Sequence, residues 1–293
     1  MQAVPLNSEL PPTARLLPPR TSLASCIRAH IDRDTTGIAL LPADERINRF
    51  PASPMCAITW FIEGQCRLVA PEDVAMPDGQ WLASAIVSGP HTRPSASFNP
   101  GPVHAFMTLL FPQAWHAVTG MDVSTLTNRV VAMEDVLGPE WMDLSQRVMQ
   151  AADDEARVAI VEEFVEPRWR EARASGAVPG NVVGDWVHGI AAHAAASGFG
   201  RSVRKVERKI KSIVGQPLRG LKRLDRAEQS FLATRAQLIE GQPVSWADRA
   251  VEAGYSDQAH LCRETRALTG MTPTELAQRA QDNEGYWVYR IWS

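Results

Sequence analysis

The chain has 293 residues, 45% hydrophobic and 22% charged, with a formal net charge of −3. Those are ordinary values for a globular protein long enough for two domains. No run approaches the roughly 18 consecutive apolar residues that a membrane-spanning helix requires. The four cysteines, Cys26, Cys56, Cys66 and Cys262, have no CxxC spacing and nothing at the start resembles a cleaved secretion signal, so reduced thiols in the cytoplasm are expected. The modest total charge conceals a gradient: residues 1–180 hold 14 Lys+Arg against 21 Asp+Glu, and residues 181–293 hold 16 against 12.

Five prolines in residues 1–20 predict a stiff, unpaired, flexible leader. Short β-rich runs follow at Gly37–Leu41, Cys56–Gly64, Cys66–Val69, Ser84–Gly89 and His104–Phe111, separated by Pro and Gly turns, and predict an antiparallel sheet or small barrel. From Pro112 the texture becomes helical. Trp141, Leu144 and Val148 share one helix face, and Val158, Val161, Val165 and Trp169 share a face of the next. These helices are expected to cover the sheet or to pair between subunits. The segment Ala174–Asn181 combines Gly, Ser and Pro where the charge changes sign, which places a boundary there. Residues 21–175 thus read as a sensor or dimerisation domain, 181–280 as an all-helical domain and 281–293 as an aromatic tail expected to dock on its own chain.

The helical part contains a repeat. Val206 matches Leu261, Arg208 matches Arg263, Lys211 matches Arg266 and Gly215 matches Gly270, all 55 residues apart. Pro217 and Pro273 follow at an offset of 56. A register held through apolar, basic and glycine positions argues for duplicated structure. Each copy, 186–218 and 245–276, reads as helix, tight turn and second helix, with Gly198 and Gly200 at the first turn and Gly254 at the second. Between the copies Leu218, Leu221, Leu224, Phe231, Leu232, Leu238 and Ile239 recur at helical spacing and predict a connecting helix. Rigid separation matters, because two recognition helices share one face of B-DNA only when about one turn, roughly 34 Å, apart.

Ten basic residues against Glu207 and Asp225 between Arg201 and Arg226 give a field that favours a polyanion. In the second copy Ser256 or Asp257 can cap the recognition helix. Gln258, Ala259, Cys262, Arg263 and Arg266 would then face outward, with Leu261 and Leu268 inward. A guanidinium such as that of Arg263 can bridge guanine O6 and N7, and Gln258 can serve adenine similarly. His260 either meets phosphate or packs on the turn. In the first copy Arg204, Glu207 and Arg208 point outward with Lys211, while Val206 and Ile210 point inward. Glu207 is expected to form an ion pair with Lys211 or Arg204 in preference to reading cytosine.

The run GYSDQAHLCRETRALTGMTPTEL resembles the signature of the AraC/XylS family of bacterial transcription regulators. The resemblance covers about Asn181 to Arg279 and is most specific in the second copy. It implies a tandem helix-turn-helix domain in which Arg204, Glu207, Arg208, Gln258, His260, Cys262 and Arg263 approach bases or backbone. The chain departs from that pattern at Thr265 and Ile210, where the family usually has an aromatic core residue, so looser packing of each recognition helix is expected. The stretches Phe98–Met107 and Leu126–Gly138 are similar to sensor domains fused to some members. That similarity implies a β-rich, cupin-like barrel that binds a small molecule or dimerises.

The expected fold is therefore α+β, and the expected function is sequence-specific regulation of transcription. Double-stranded DNA is the expected partner, with RNA polymerase, a small-molecule effector and a second copy as further expectations. Trp60, Arg67, His91, Arg93 and His104 are the effector-site candidates, although the aromatic residues Trp60, Phe61, Trp81, Phe98, Phe106 and Phe111 read mostly as core. No cofactor is expected. His91, His104 and His116 lack the spacing of a cupin metal site, and His188 and His193, five apart, do not share a helix face. The other classes left open are a non-specific architectural binder and an enzyme housed in the barrel.

Overall fold

The structure is a computed structural model and describes residues 13–72, 79–175 and 203–291. Residues 176–181 of the expected boundary segment Ala174–Asn181, His188, His193, and the first helix and turn of the first repeat lie outside the described residues, as do residues 1–12 of the leader.

The β-rich part forms two antiparallel sheets. The larger contains β1 (Ala14–Leu17), β2 (Ile27–Asp34), β9 (His104–Leu110), β4 (Cys56–Glu63), β7 (Ala85–Ser88) and β10 (Val130–Ala132), in that spatial order. The smaller contains β3 (Ile47–Phe50), β8 (Ser95–Phe98), β5 (Arg67–Val69) and β6 (Gln80–Trp81). Four of the five expected β runs contain strands. The fifth, residues 37–41, is turn and loop with Leu40 59% exposed. The cause lies just before it: the Asp34 carboxylate accepts from the Thr36 amide at 2.8 Å and from its hydroxyl at 2.7 Å, a local turn that ends β2. Within the expected leader, Ala14–Leu17 pairs with His30–Arg33, so that part is an edge strand and not an unpaired segment. The prolines that follow it, Pro18 and Pro19, lie outside the paired residues and leave the ladder amides intact.

Strand alternation gives the larger sheet two apolar faces. Cys56, Ile58, Trp60, Val87, Phe106 and Leu110 form one core with helices α1 (Pro112–Thr119), α2 (Pro139–Gln150) and α3 (Asp154–Ala174). Trp141, Leu144 and Val148 of α2 and Val161, Val165 and Trp169 of α3 are all buried there, so the helices cover the sheet as the face pattern predicts. Trp115 and Phe164 meet Trp141 at ring distances of 6.2 and 4.8 Å.

The C-terminal part is helical: α4 (Val203–Val214), α5 (Leu218–Ile239), α6 (Trp246–Glu252), α7 (Gln258–Thr269) and α8 (Pro273–Asp282). A 3-10 segment, Glu284–Tyr289, closes it. The expected connecting helix is α5, which continues for 22 residues with Leu221 and Leu224 buried. The aromatic tail docks on its own chain. Trp287, 2% exposed, donates from Nε1 to Asn48 Oδ1 at 2.9 Å, while Tyr289 packs edge-on to Phe231. Arg33 of β2 donates to Glu284 at 2.8 Å, in a contact shared with Thr13.

Candidate nucleic-acid interface and effector cavity

Helices α4 and α7 have matching bounds: Val203 to Gln258 and Val214 to Thr269 are each displaced by 55 residues. Both end on a left-handed glycine, Gly215 at φ 77° and Gly270 at φ 84°, whose amides close the last turns on Lys211 and Arg266. At the entry to α7, Asp257 is the cap, accepting from the His260 amide at 2.6 Å. That bond holds the Asp257 carboxyl below the ordinary carboxylate range. The next helix begins with a capping box between Thr272 and Glu275.

On α7, Leu261 and Leu268 are buried, whereas Gln258, Ala259, Arg263 and Arg266 are exposed and Cys262 is half-buried. Arg263 makes no ion pair among the described residues and stands free for an anion or a guanine edge. Arg266 lies 3.7 Å from Glu275, in a pair exposed on both sides. His260 packs on the turn: its Nδ1 is 3.1 Å from the Ser256 hydroxyl and its ring stands edge-on to Tyr255 at 5.2 Å.

On α4, Ile210 is buried and Glu207, Arg208 and Lys211 are exposed. The side chains of Arg204 and Val206 lie outside the described residues. Of the two ion pairs expected for Glu207, the one with Lys211 is not formed, although the spacing allows it; the other involves Arg204, whose side chain is not among those described. An exposed i,i+4 pair gains only about 0.3–0.5 kcal/mol, too little to hold two solvated side chains in one geometry. Arg219 and Lys222 of α5 are also exposed.

The inner face of the larger sheet, the smaller sheet, α5, α7 and the tail enclose a cavity of 440 Å³. Its walls include Phe50, Met55, Phe61, Leu68, Met107, Leu109, Leu224, Phe231 and Leu268. Thr265 also lines it, bonded within its own helix to the Leu261 carbonyl at 2.9 Å. Burial pushes the Cys66 thiol up to about 11, so it presents a neutral surface there. Polar groups at the wall include Arg28 and Glu228, which pair with each other across the space between β2 and α5.

Of the five effector candidates, His91 alone is among the cavity-lining residues. Burial, with Arg93 nearby, holds its pKa below the ordinary value. Trp60 points to the opposite face of the sheet, where its Nε1 donates to Ser145 at 2.9 Å. Arg67 stacks over Trp81 at 3.8 Å, and Arg93 is exposed. His104 bonds Asp32 at 3.0 Å and lies 3.6 Å from Asp154. Met107 carries no sequence signal for the cavity, because inward and outward positions of the larger sheet are equally apolar; Phe50 lies on β3 of the smaller sheet and Met55 in the loop before β4.

Asp32, His104 and Asp154 could between them offer three ligand atoms within 4.8 Å of one another. Arg15 already bridges the two carboxylates at 3.2 and 2.6 Å, and Arg157 holds Asp154 at 2.7 Å. The cluster is thus charge-compensated by protein cations, and a metal would have to displace Arg15. His116 is elsewhere, with Nδ1 2.6 Å from the Met121 carbonyl.

No protein-family profile and no curated protein matches the chain. Among solved structures it is similar to an apo variant of ToxT from Vibrio cholerae, at 10% identity and a TM-score of 0.40, covering 89% of this chain and 98% of that one. It is also similar to unsaturated fatty acid-bound ToxT of the same organism, at 10% identity and a TM-score of 0.35, covering 79% and 93%. A further ToxT structure, from Vibrio cholerae O395, aligns at 11% identity with a TM-score of 0.34, covering 80% and 96%. At this identity and superposition the likenesses carry no weight for function, which has to be read from the chain's own residues.

Proposed function

We propose that the chain is a sequence-specific, DNA-binding transcription regulator of the AraC/XylS type. One observation carries the reading: a duplicated helix, 203–214 and 258–269, ends on a left-handed glycine in both copies and turns cations to solvent. A helix-turn-helix presents its second helix to the major groove in this way, and two units joined by a continuous helix suit two successive grooves. Arg263 and Gln258 would contact base edges; Arg208, Lys211 and Arg266 would meet phosphate or bases, and Arg204, Glu207, His260 and Cys262 complete the expected contact set. Residues 21–175 would act as the sensor domain and 181–280 as the DNA-binding domain. The effector would be a small, mainly apolar molecule held in the 440 Å³ cavity, whose occupancy biases how α5 presents the reading helices. RNA polymerase, a second copy of the chain and a cytoplasmic location belong to the same proposal. Among the described residues no helix is long and apolar enough to cross a membrane.

The test is selection from random duplex DNA with the full chain at near-physiological salt. Two enriched motifs about one helical turn apart are expected. An unenriched pool bound with steep salt dependence would replace this reading with a non-specific binder.

A further inference from the structure

The basic run that ends at Arg226 divides by role. Arg208, Lys211, Arg219 and Lys222 are exposed, but the last two arginines of the run turn toward the second helix-turn-helix. Arg223 donates from Nε to Glu264 Oε2 at 2.8 Å, and Arg226 lies 3.6 Å from the same oxygen. Arg226 also covers the Tyr255 ring at 4.4 Å and reaches the Gly254 carbonyl at 3.4 Å. Tyr255 is itself 4% exposed and packs with Ala250 and Leu261, which belong to the two helices of that unit. Two cations one turn apart on α5 therefore grip both the turn of the unit and the middle of its reading helix.

We infer that Arg223 and Arg226, through Glu264, form a clamp that sets the orientation of α7 on α5 and so positions Arg263 for base reading. This rests on the proposed function and adds positioning residues that need not touch DNA. Glu264 adjoins Arg263 in sequence, but its carboxylate faces α5 while Arg263 faces solvent. Keeping a carboxylate on a helix that must approach phosphates costs some electrostatic attraction, which orientation by the charged hydrogen bond from Arg223 and the ion pair with Arg226 can offset. The two roles make opposite demands on binding and can be separated experimentally.

The experiment compares full-length wild type, Glu264→Gln, Arg223→Gln, the double variant and Arg223→Lys on two duplexes: the selected two-motif site and a random sequence. Glu264→Gln should bind the selected site roughly fivefold more weakly, the scale of a partly exposed ion pair. Its binding to random duplex should be unchanged or tighter, since a negative charge near phosphate has gone; this also shows that the variant is folded. The double variant should be no worse than either single one, the signature of a shared interaction. Arg223→Lys should retain most of the preference. Equal weakening on both duplexes, or additive losses, would overturn the clamp and leave Glu264 as a fold-stabilising residue. A wild type that does not distinguish the duplexes would instead overturn the regulator reading and the clamp with it.

Discussion

The two repeated helices, α4 and α7, share a backbone plan but are anchored to the rest of the chain in different ways. The end of α4 sits against the N-terminal part at a close backbone approach. The Thr127 hydroxyl donates to the Gly215 carbonyl at 2.9 Å, and a Cβ on Gly215 would lie 2.9 Å from that hydroxyl and 3.0 Å from Pro90. The equivalent end of α7 is open, with nothing within 4 Å of a Cβ on Gly270. The second unit is held at other points. The Ala52 amide donates to the Leu268 carbonyl at 2.7 Å, and the tail after α8 buries Trp287 against β3. Duplication preserved the helix and its cap, while the surroundings of each copy diverged. A repeat in sequence therefore predicts shared geometry and not shared packing.

The largest effect should come from the second anchor. Trp287→Ala removes a fully packed indole and its bond to Asn48. It should destabilise the protein by about 3–5 kcal/mol, read by urea unfolding, and raise hydrogen exchange in α8 more than in α4. Equal exchange in both helices would merge the two anchors into one. Gly215→Val comes next: a left-handed site costs about 1–2 kcal/mol for a side chain, and crowding adds about 1–3 kcal/mol. Gly270→Val carries only the first cost, so the difference between the two variants measures how closely α4 is held. A smaller loss for Gly215→Val than for Gly270→Val would contradict the close approach.

Next in size is the division of labour on DNA. Arg263→Ala should cost about 1–3 kcal/mol on the selected site and abolish preference at one position in a competition assay. Arg208→Ala should weaken all sequences alike and reduce the salt slope by about one. Interchanged behaviour would assign base reading to the first unit. The smallest effect expected is on pH. Burial favours the neutral Glu284 carboxyl, but bonds from Thr13 and Arg33 outweigh it and hold its pKa below the ordinary value. A depressed folded pKa contributes stability above the unfolded value that is lost as pH falls through the folded one. The Thr127–Gly215 contact has no titrating group, so lowering the pH below the ordinary carboxylate value should loosen the tail while α4 stays protected. Loss of both together in exchange measurements would count against that.

Much of this architecture was legible in residue order because it rests on local periodicity. The 3.6-residue spacing of Leu221 and Leu224 in α5, the Asp257 cap, and the 55-residue register between Gly215 and Gly270 all reflect neighbours within a few turns of chain. β2 was missed for the opposite reason. Its His30, Asp32 and Arg33 look like surface residues in sequence, yet all are buried, because partners far along the chain neutralise or bond them: Thr108, Arg15 with His104, and Glu284. Among the cavity candidates His91 was found, while Trp60 and His104 proved to face the helix-covered side. Period-two alternation shows which residues share a sheet face but not which layer that face meets. The sequence by itself determined the repeat, its helices, their caps and the charge they carry, since these depend on short-range sterics and hydrogen bonding. Only the tertiary structure decided which arginines are free and which are spent on Glu264, where the cavity opens, and how each unit is anchored, because those outcomes depend on groups brought together from distant parts of the chain.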